Sequence, residues 1–429
     1  MTRMKESGID WIGQIPEEWY LGKVKFFSKI SAGATPDRNN IFFWNGDINW
    51  MSSGEVNQEV VTHTAETITT LALKRTSTKL LPIGTVMLAL NGQGKTKGTA
   101  AVLAIETASN QSLASFIVDN AKVNNIYLYY FLKANYSNIR GLKGEDRDGL
   151  NLQLVSNIII PLLDIKEQQK IADFLDKKTA QLDKVKSLLE EQIQKLKDYR
   201  ASLIYETVTK GLDKTVPMKD SGIDWVGQVP EGWGVGKVKY FSQISAGATP
   251  DRNNSLFWNG NINWMSSGEV NQGIVKYTSE TITDLALKRT STKLLPNGTV
   301  MLALNGQGKT KGTAAVLAIE SASNQSLASF IVDNKTLNNM YLYYFFVANY
   351  YNIRGLKGED RDGLNLQLVS NIVIPLFEIE KQQKIVDFLD KKTVQIDKLI
   401  QIKNEQIKNI NKQRQTLIYD YVTGKRRVY

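Results

Sequence analysis

The sequence contains no cysteine and a single histidine, His63. Without thiols there is no disulfide, no thiolate nucleophile and no Cys-based zinc site. One imidazole excludes a two-histidine metal site or an imidazole acid–base pair. Long apolar runs are also missing: none approaches the roughly 20 residues needed to cross a bilayer. The opening residues, MTRMKESGIDW, lack the apolar core of a secretion signal. A cytoplasmic protein with no membrane partner is expected. Charge is moderate, with 53 Lys and Arg against 43 Asp and Glu, a net of +10. Such a balance suits a polyanionic partner without requiring one.

What is present is a sequence written twice. MKESGIDWIGQIPEEW (4–19) returns as MKDSGIDWVGQVPEGW (218–233), and the shift of 214 holds without a gap to LIY at 203–205 and 417–419. A repeat this long is a duplicated domain pair, not a solenoid. From residue 1 to 163, short apolar or alternating runs are punctuated by Gly, Asn and Pro, as in KVKFFSKI, WNGDINWM, GTVMLAL, TAAVLAI and ASFIVD. That texture predicts a mixed domain rich in antiparallel β-structure. One helix is expected over NNIYLYYFLKANYSNIRGL.

After IIIPLL the pattern changes. Leu175, Leu182, Leu189, Leu196 and Leu203 recur every seventh residue, with Ile171 and Val185 on the offset positions. Such a heptad stripe predicts a helix roughly 60 Å long that needs a partner helix. The second copy repeats it at Leu389, Ile396, Ile410 and Leu417, with Ile385, Leu399 and Ile407 nearby and Lys403 interrupting where the first copy has Leu189. The expected organisation is a mixed domain at 1–163, a long helix at 164–210, a second mixed domain at 211–377, a second helix at 378–424 and a basic tail at 425–429. The two helices together carry only +3 and the tail another +3, which leaves a small cationic excess for the globular parts.

GIDWIGQIPEEW, followed by IIIPLLDIKEQQKIADFLDKKTAQLDKVKSLLEEQIQKLKDYRASLIYETVTKG, resembles the specificity subunit of type I restriction-modification enzymes. IVIPLFEIEKQQKIVDFLDKKTVQIDKLI and LIYDYVTGK resemble it again. The resemblance implies an α/β (α+β) architecture: two β-rich target recognition domains separated by two long helices that pair as an antiparallel coiled coil, with a pseudo-twofold internal repeat. It further implies that each domain reads one half of a bipartite site in double-stranded DNA, and that the helices set the spacing and dock two methyltransferase subunits. A restriction and translocation subunit joins the larger complex. The chain itself is implied to be non-catalytic and without cofactor, S-adenosylmethionine, ATP and Mg belonging to the partners. In agreement, none of its nine prolines follows an asparagine, so the NPP[YF]-type motif of an adenine methyltransferase is absent.

Several segments imitate other chemistry. NGQGKTKGTAA, at 91–101 and 305–315, contains the GKT of a phosphate-binding loop, but Ala89 stands where its first glycine is required. Both flanks read as strands, so a hairpin turn is expected instead of a nucleotide site. DIK at 164–166 imitates the end of a nuclease metal site, yet the second copy has Glu378, Ile379 and Glu380; Asp164 fits the N-terminus of the long helix. Glu145, Asp146 and Asp148 surround Arg147 and read as a turn. His63 is Tyr277 in the second copy, so no shared role attaches to it. The tryptophans Trp11, Trp19, Trp44 and Trp50, with Trp225, Trp233, Trp258 and Trp264, are expected in the core.

Groove readout needs Arg or Lys for guanine, Asn or Gln for adenine, and cations or hydroxyls for phosphates. Turn-like segments supply these as Asp37, Arg38 and Asn39; Ser52 and Ser53; Lys74, Arg75 and Lys79; Asn91, Gln93, Lys95 and Lys97; and Arg140, Lys143 and Arg147. The second copy supplies Arg252, Asn253, Ser266, Ser267, Lys288, Arg289, Lys293, Asn305, Gln307, Lys309, Lys311, Arg354, Lys357 and Arg361. The glycine-rich loop is the leading candidate, because glycine permits close backbone approach. Two nearly equal domains predict a target that is an interrupted palindrome. A coiled-coil scaffold without DNA specificity is the rival reading, and a nucleotide-binding protein a weaker one.

Overall fold

The protein is described by a computed structural model over residues 3–143, 149–357 and 363–428. It divides into two compact units, residues 1–189 with 404–429, and residues 190–403. Each unit holds one β-rich domain and one half of each long helix, which span Ile165–Lys210 and Ile379–Val422.

In the first unit a five-stranded sheet has the order Ser28–Ala32, Leu113–Val118, Val86–Ala89, Ala100–Leu103, Val60–Val61, antiparallel except for the last pair. Val86–Ala89 and Ala100–Leu103 are buried along their whole length because both faces are covered, and the period of two sends alternate residues to different cores. Val86, Leu88 and Phe116 join Tyr127, Leu128 and Phe131 of the helix Asn125–Ala134 on one side. Met87, Ala89 and Leu113 join Met51, Val56 and Val61 on the other. A second sheet, Ala108–Ser109, Trp44–Met51, Glu66–Ile68, buries Trp50, Ile68 and Ala72. The second unit repeats both sheets in the same order.

The single helix expected over residues 124–142 is two helices. Asn124 caps Asn125–Ala134, and the buried Asn135, whose amide donates to the Phe131 carbonyl, breaks the run before Tyr136–Arg140. Asp164 stands at the start of the first long helix, its carboxylate accepting the Lys166 N–H at 2.9 Å.

Within each unit the helix halves run antiparallel. In the first, Phe174 packs on Tyr421 and Asp183 pairs with Arg414. In the second, Gln192 accepts from Lys403 at 2.6 Å and Arg200 pairs with Asp397. Lys403 thus interrupts the apolar stripe but is used across it. The expected offset position Val185 is a correction: it is 47% exposed, whereas Lys186 is half-buried and Ile193 buried. Leu399 is likewise exposed. The leucines are followed at four residues by Thr179, Lys186, Ile193 and Arg200, mostly polar groups whose stems cover the stripe.

The same fittings seat each domain on its helices. The Tyr127 hydroxyl lies 3.1 Å from the Pro161 carbonyl and 3.0 Å from that of Val422. Gln168, fully buried, donates to the Lys122 and Leu163 carbonyls and accepts the Asn124 N–H. In the second unit Tyr341 reaches the Val208 carbonyl and Gln382 makes the corresponding bonds.

Candidate nucleic-acid interface

The glycine-rich segment is a hairpin connection between Val86–Ala89 and Ala100–Leu103, which pair antiparallel. No helix follows Thr96, so the helix N-terminus of a phosphate-binding loop is missing. Gly92, Gly94 and Gly98 have φ of +152°, +58° and +84°, a backbone path that only glycine takes without strain. The loop is held from behind. Tyr136 donates to the Lys95 carbonyl at 3.0 Å, and Arg140 donates to the Lys97 carbonyl at 3.0 Å. In the second unit Tyr350 and Arg354 do the same for Lys309 and Lys311.

Arg140 and Arg354 are therefore buttresses with half-buried side chains, while Asn91, Gln93 and Lys95 stand exposed at the turn. Lys97 and Lys311 are half-buried. A cleft of about 1030 Å³ beside the turn brings Asn91 together with Lys143, Asn151, Gln153 and the Trp11 ring.

A second cluster forms around the other sheet. Arg38 chelates Glu66 with both guanidinium arms and lies 4.0 Å from the centre of the Trp44 ring. The hydrogen bonds from Arg38 hold the Glu66 carboxyl below its ordinary value. Arg252, Glu280 and Trp258 repeat the arrangement. This guanidinium is already committed, a role that the exposed Asn39 and Asn253 do not share. Lys74, Arg75 and Lys79, with Lys288, Arg289 and Lys293, are exposed on and after the short helices Thr70–Arg75 and Asp284–Arg289. Ser52 and Ser266 close capping boxes with Glu55 and Glu269, so their hydroxyls serve the chain turn; Ser53 and Ser267 follow them, half-buried. Lys357 is exposed, as Lys143 is. Arg147, Arg361 and the acidic group Glu145, Asp146 and Asp148 lie outside the described residues.

Trp19, Trp50 and Trp264 are buried and Trp44 meets Trp50 edge to face. His63 and Tyr277 are exposed. Among the described residues no cluster of three acidic or imidazole groups is placed to hold a metal ion, and no helix is long and apolar enough to cross a membrane.

One grouping escaped the sequence reading. Glu59 accepts from Lys133 at 2.5 Å and from Arg414 at 3.2 Å, and Arg414 also meets Asp183. Burial raises the Glu59 carboxyl, but Lys133 and Arg414 together outweigh it and bring the group below its ordinary value. Glu59 and Lys133 are replaced by Gly273 and Val347 in the second copy, so these two differences are a matched pair.

Comparison with known proteins agrees with this architecture. The specificity subunit of the type I restriction enzyme MjaIX from Methanocaldococcus jannaschii is 24% identical over 423 residues, covering 90% of this chain and 92% of that one. The EcoR124I/EcoR124II specificity subunit of Escherichia coli is 26% identical over 215 residues, about half of each chain (48% and 50%). Among solved structures, a chain from a study of assembly and conformational transition of the type I R-M system superposes with a TM-score of 0.77 at 15% identity, over 96% of this chain and 99% of that one. The HsdS subunit from Thermoanaerobacter tengcongensis superposes with a TM-score of 0.57 at 14% identity, over 96% and 98%. The family described as the type I restriction modification DNA specificity domain matches twice, over residues 16–197 and 230–412, and the chain belongs to it.

Proposed function

We propose that the chain is the non-catalytic, cytoplasmic specificity subunit of a type I restriction-modification complex, in which residues 1–163 and 211–377 each read one half of a bipartite DNA site. The half-sites form an interrupted palindrome. The helices at 164–210 and 378–424 fix the spacer and dock two methyltransferase subunits, and a restriction and translocation subunit completes the assembly. Cofactors of methylation and cleavage belong to those partners.

One observation carries this reading. The exposed amides and cations of the glycine-rich turn recur in both units on the same scaffold, with matching glycine angles and matching buttress bonds from Tyr136 and Arg140 or Tyr350 and Arg354. Equal reading heads select equal half-sites, as in dimeric DNA-binding proteins. Methylome sequencing of a host carrying the complete system is expected to show one half-site and its reverse complement around a constant spacer. Two unrelated half-sites would overturn the palindrome.

A further inference from the structure

We propose that the turn bearing Phe42, and its counterpart bearing Leu256, is an apolar wedge that enters a base step of duplex DNA beside the polar reading groups; this rests on the DNA-recognition reading above.

The tip is exposed in a way that single surface apolar residues are not. Ile41 and Phe42 are 77% and 70% exposed on adjacent positions, and Leu256 is 67% exposed. Leu71 and Leu285, on the short helix that packs against each turn, are also exposed. Isolated exposed leucines need no explanation, whereas a projecting cluster repeated in both units does.

The mount is rigid. The Phe42 N–H donates to the Asn40 side chain at 3.1 Å, and the Phe42 carbonyl accepts from Thr69 Oγ1 at 2.8 Å. The same Thr69 oxygen caps the helix Thr70–Arg75 by accepting the Ala72 N–H. Phe43, the next residue, packs against the cluster of Trp50, Ile68 and Ala72. In the second unit Asn254 and Thr283 hold Leu256 identically, and Phe257 packs inward. Phe42 is thus presented outward by design of its neighbours.

The surroundings favour DNA as the occupant. Lys74 and Arg75, or Lys288 and Arg289, end the supporting helix as exposed cations, while Arg38 and Arg252 are neutralised by Glu66 and Glu280. An apolar prong set among cations matches the chemistry of side chains that unstack and kink a duplex.

Variation between the copies points the same way. Residues 30–40 and 71–82 are identical to 244–254 and 285–296, and of the nine positions between them that differ two are at the tip, where Ile41–Phe42 becomes Ser255–Leu256. A base-reading group cannot change without changing its half-site. A wedge tolerates Phe or Leu, because it displaces stacking and reads no hydrogen-bond pattern.

The test uses the chain assembled with its methyltransferase subunits, on target duplexes carrying 2-aminopurine at successive positions and leaving the methylated adenines unsubstituted. Fluorescence is expected to rise at one step per half-site. The double variant Phe42→Ala with Leu256→Ala is expected to lose that rise and to bind about tenfold more weakly, with an unchanged salt dependence. Phe42→Leu is expected to keep the signal. An unchanged signal in the double alanine variant overturns the wedge, as does target-selective binding by the unaltered complex without any rise. So does a double variant that melts normally but no longer joins the methyltransferase subunits, which assigns the tip to a protein contact. Failure of the unaltered complex to select any target defeats the DNA reading itself and the wedge with it.

Discussion

Lys95 and Lys309 sit at the exposed apex of a turn whose shape is set by glycines and by hydrogen bonds to the carbonyls of those same lysines. A side chain so placed can reach a phosphate, and each phosphate contact contributes about 0.9 to the slope of log affinity against log salt. The double variant Lys95→Ala with Lys309→Ala is therefore expected to bind target DNA more weakly and to flatten that slope by about 1.8. Titration of the assembled complex across a salt series checks it, and an unchanged slope rejects the phosphate role. At this scale the sequence was only partly informative. The glycines announced a turn, but Arg38 and Arg140 were indistinguishable from free cations. Their partners, Glu66 and the Lys97 carbonyl, lie 28 and 43 residues away. Ser52 is different: its capping box with Glu55 is a local pattern, legible in the spacing of SSGE.

Elements show how a strained residue is tolerated. Glu59 has φ of +63°, where the second copy has Gly273 at +67°. Left-handed backbone of this kind costs a non-glycine residue about 1–3 kcal/mol. In Glu59 that cost is offset by ion pairs to Lys133 of the same domain and to Arg414 of the second long helix. Glu59→Ala keeps the strain and loses the ion pairs, so it is expected to destabilise the protein by about 1–2 kcal/mol. Glu59→Gly loses both and is expected to fall within about 1 kcal/mol of the parent. Thermal melts that place the alanine variant at or above the glycine variant would refute this ordering.

The sign of the pH effect follows from the depressed carboxyl. Its contribution is complete above the ordinary value of 4.5 and is lost as pH falls through the lower folded value. The acid sensitivity of the first unit should therefore shrink in Glu59→Gly, as read by amide exchange near the Glu59–Arg414 contact. The heptad leucines were legible because every seventh residue is a strong signal. Val185 misled: Ile171 is buried in a core that recognition-domain and helix residues share, whereas Val185 joins no such core and stays exposed. The alternate seam positions other than Ile193 are polar, so their hydropathy gave little hint.

At the scale of the whole molecule, the duplication is the dominant fact. Residues 84–106 and 298–320 are identical over 23 positions, and they contain the entire glycine-rich turn. If each turn reads one half-site as proposed, a change in one copy affects one half of the target only. Gln93 and Gln307 are exposed between glycines at φ of +152° and +58°, or +153° and +60°, and their amides suit the paired acceptor and donor of adenine. Losing such a bidentate contact costs about 1–3 kcal/mol of discrimination, roughly 5- to 150-fold, at a single base pair. Gln93→Ala is therefore expected to relax one position in one half-site, and Gln307→Ala the position related to it by inversion. The double variant should relax both, so that the recognised sequence becomes symmetric again. Selection of binding sites from a randomised duplex pool, performed with each assembled variant, reads these positions directly. Relaxation at positions unrelated by inversion would show that equal sequences are used unequally, and the palindrome would then have to be abandoned even with the family assignment intact.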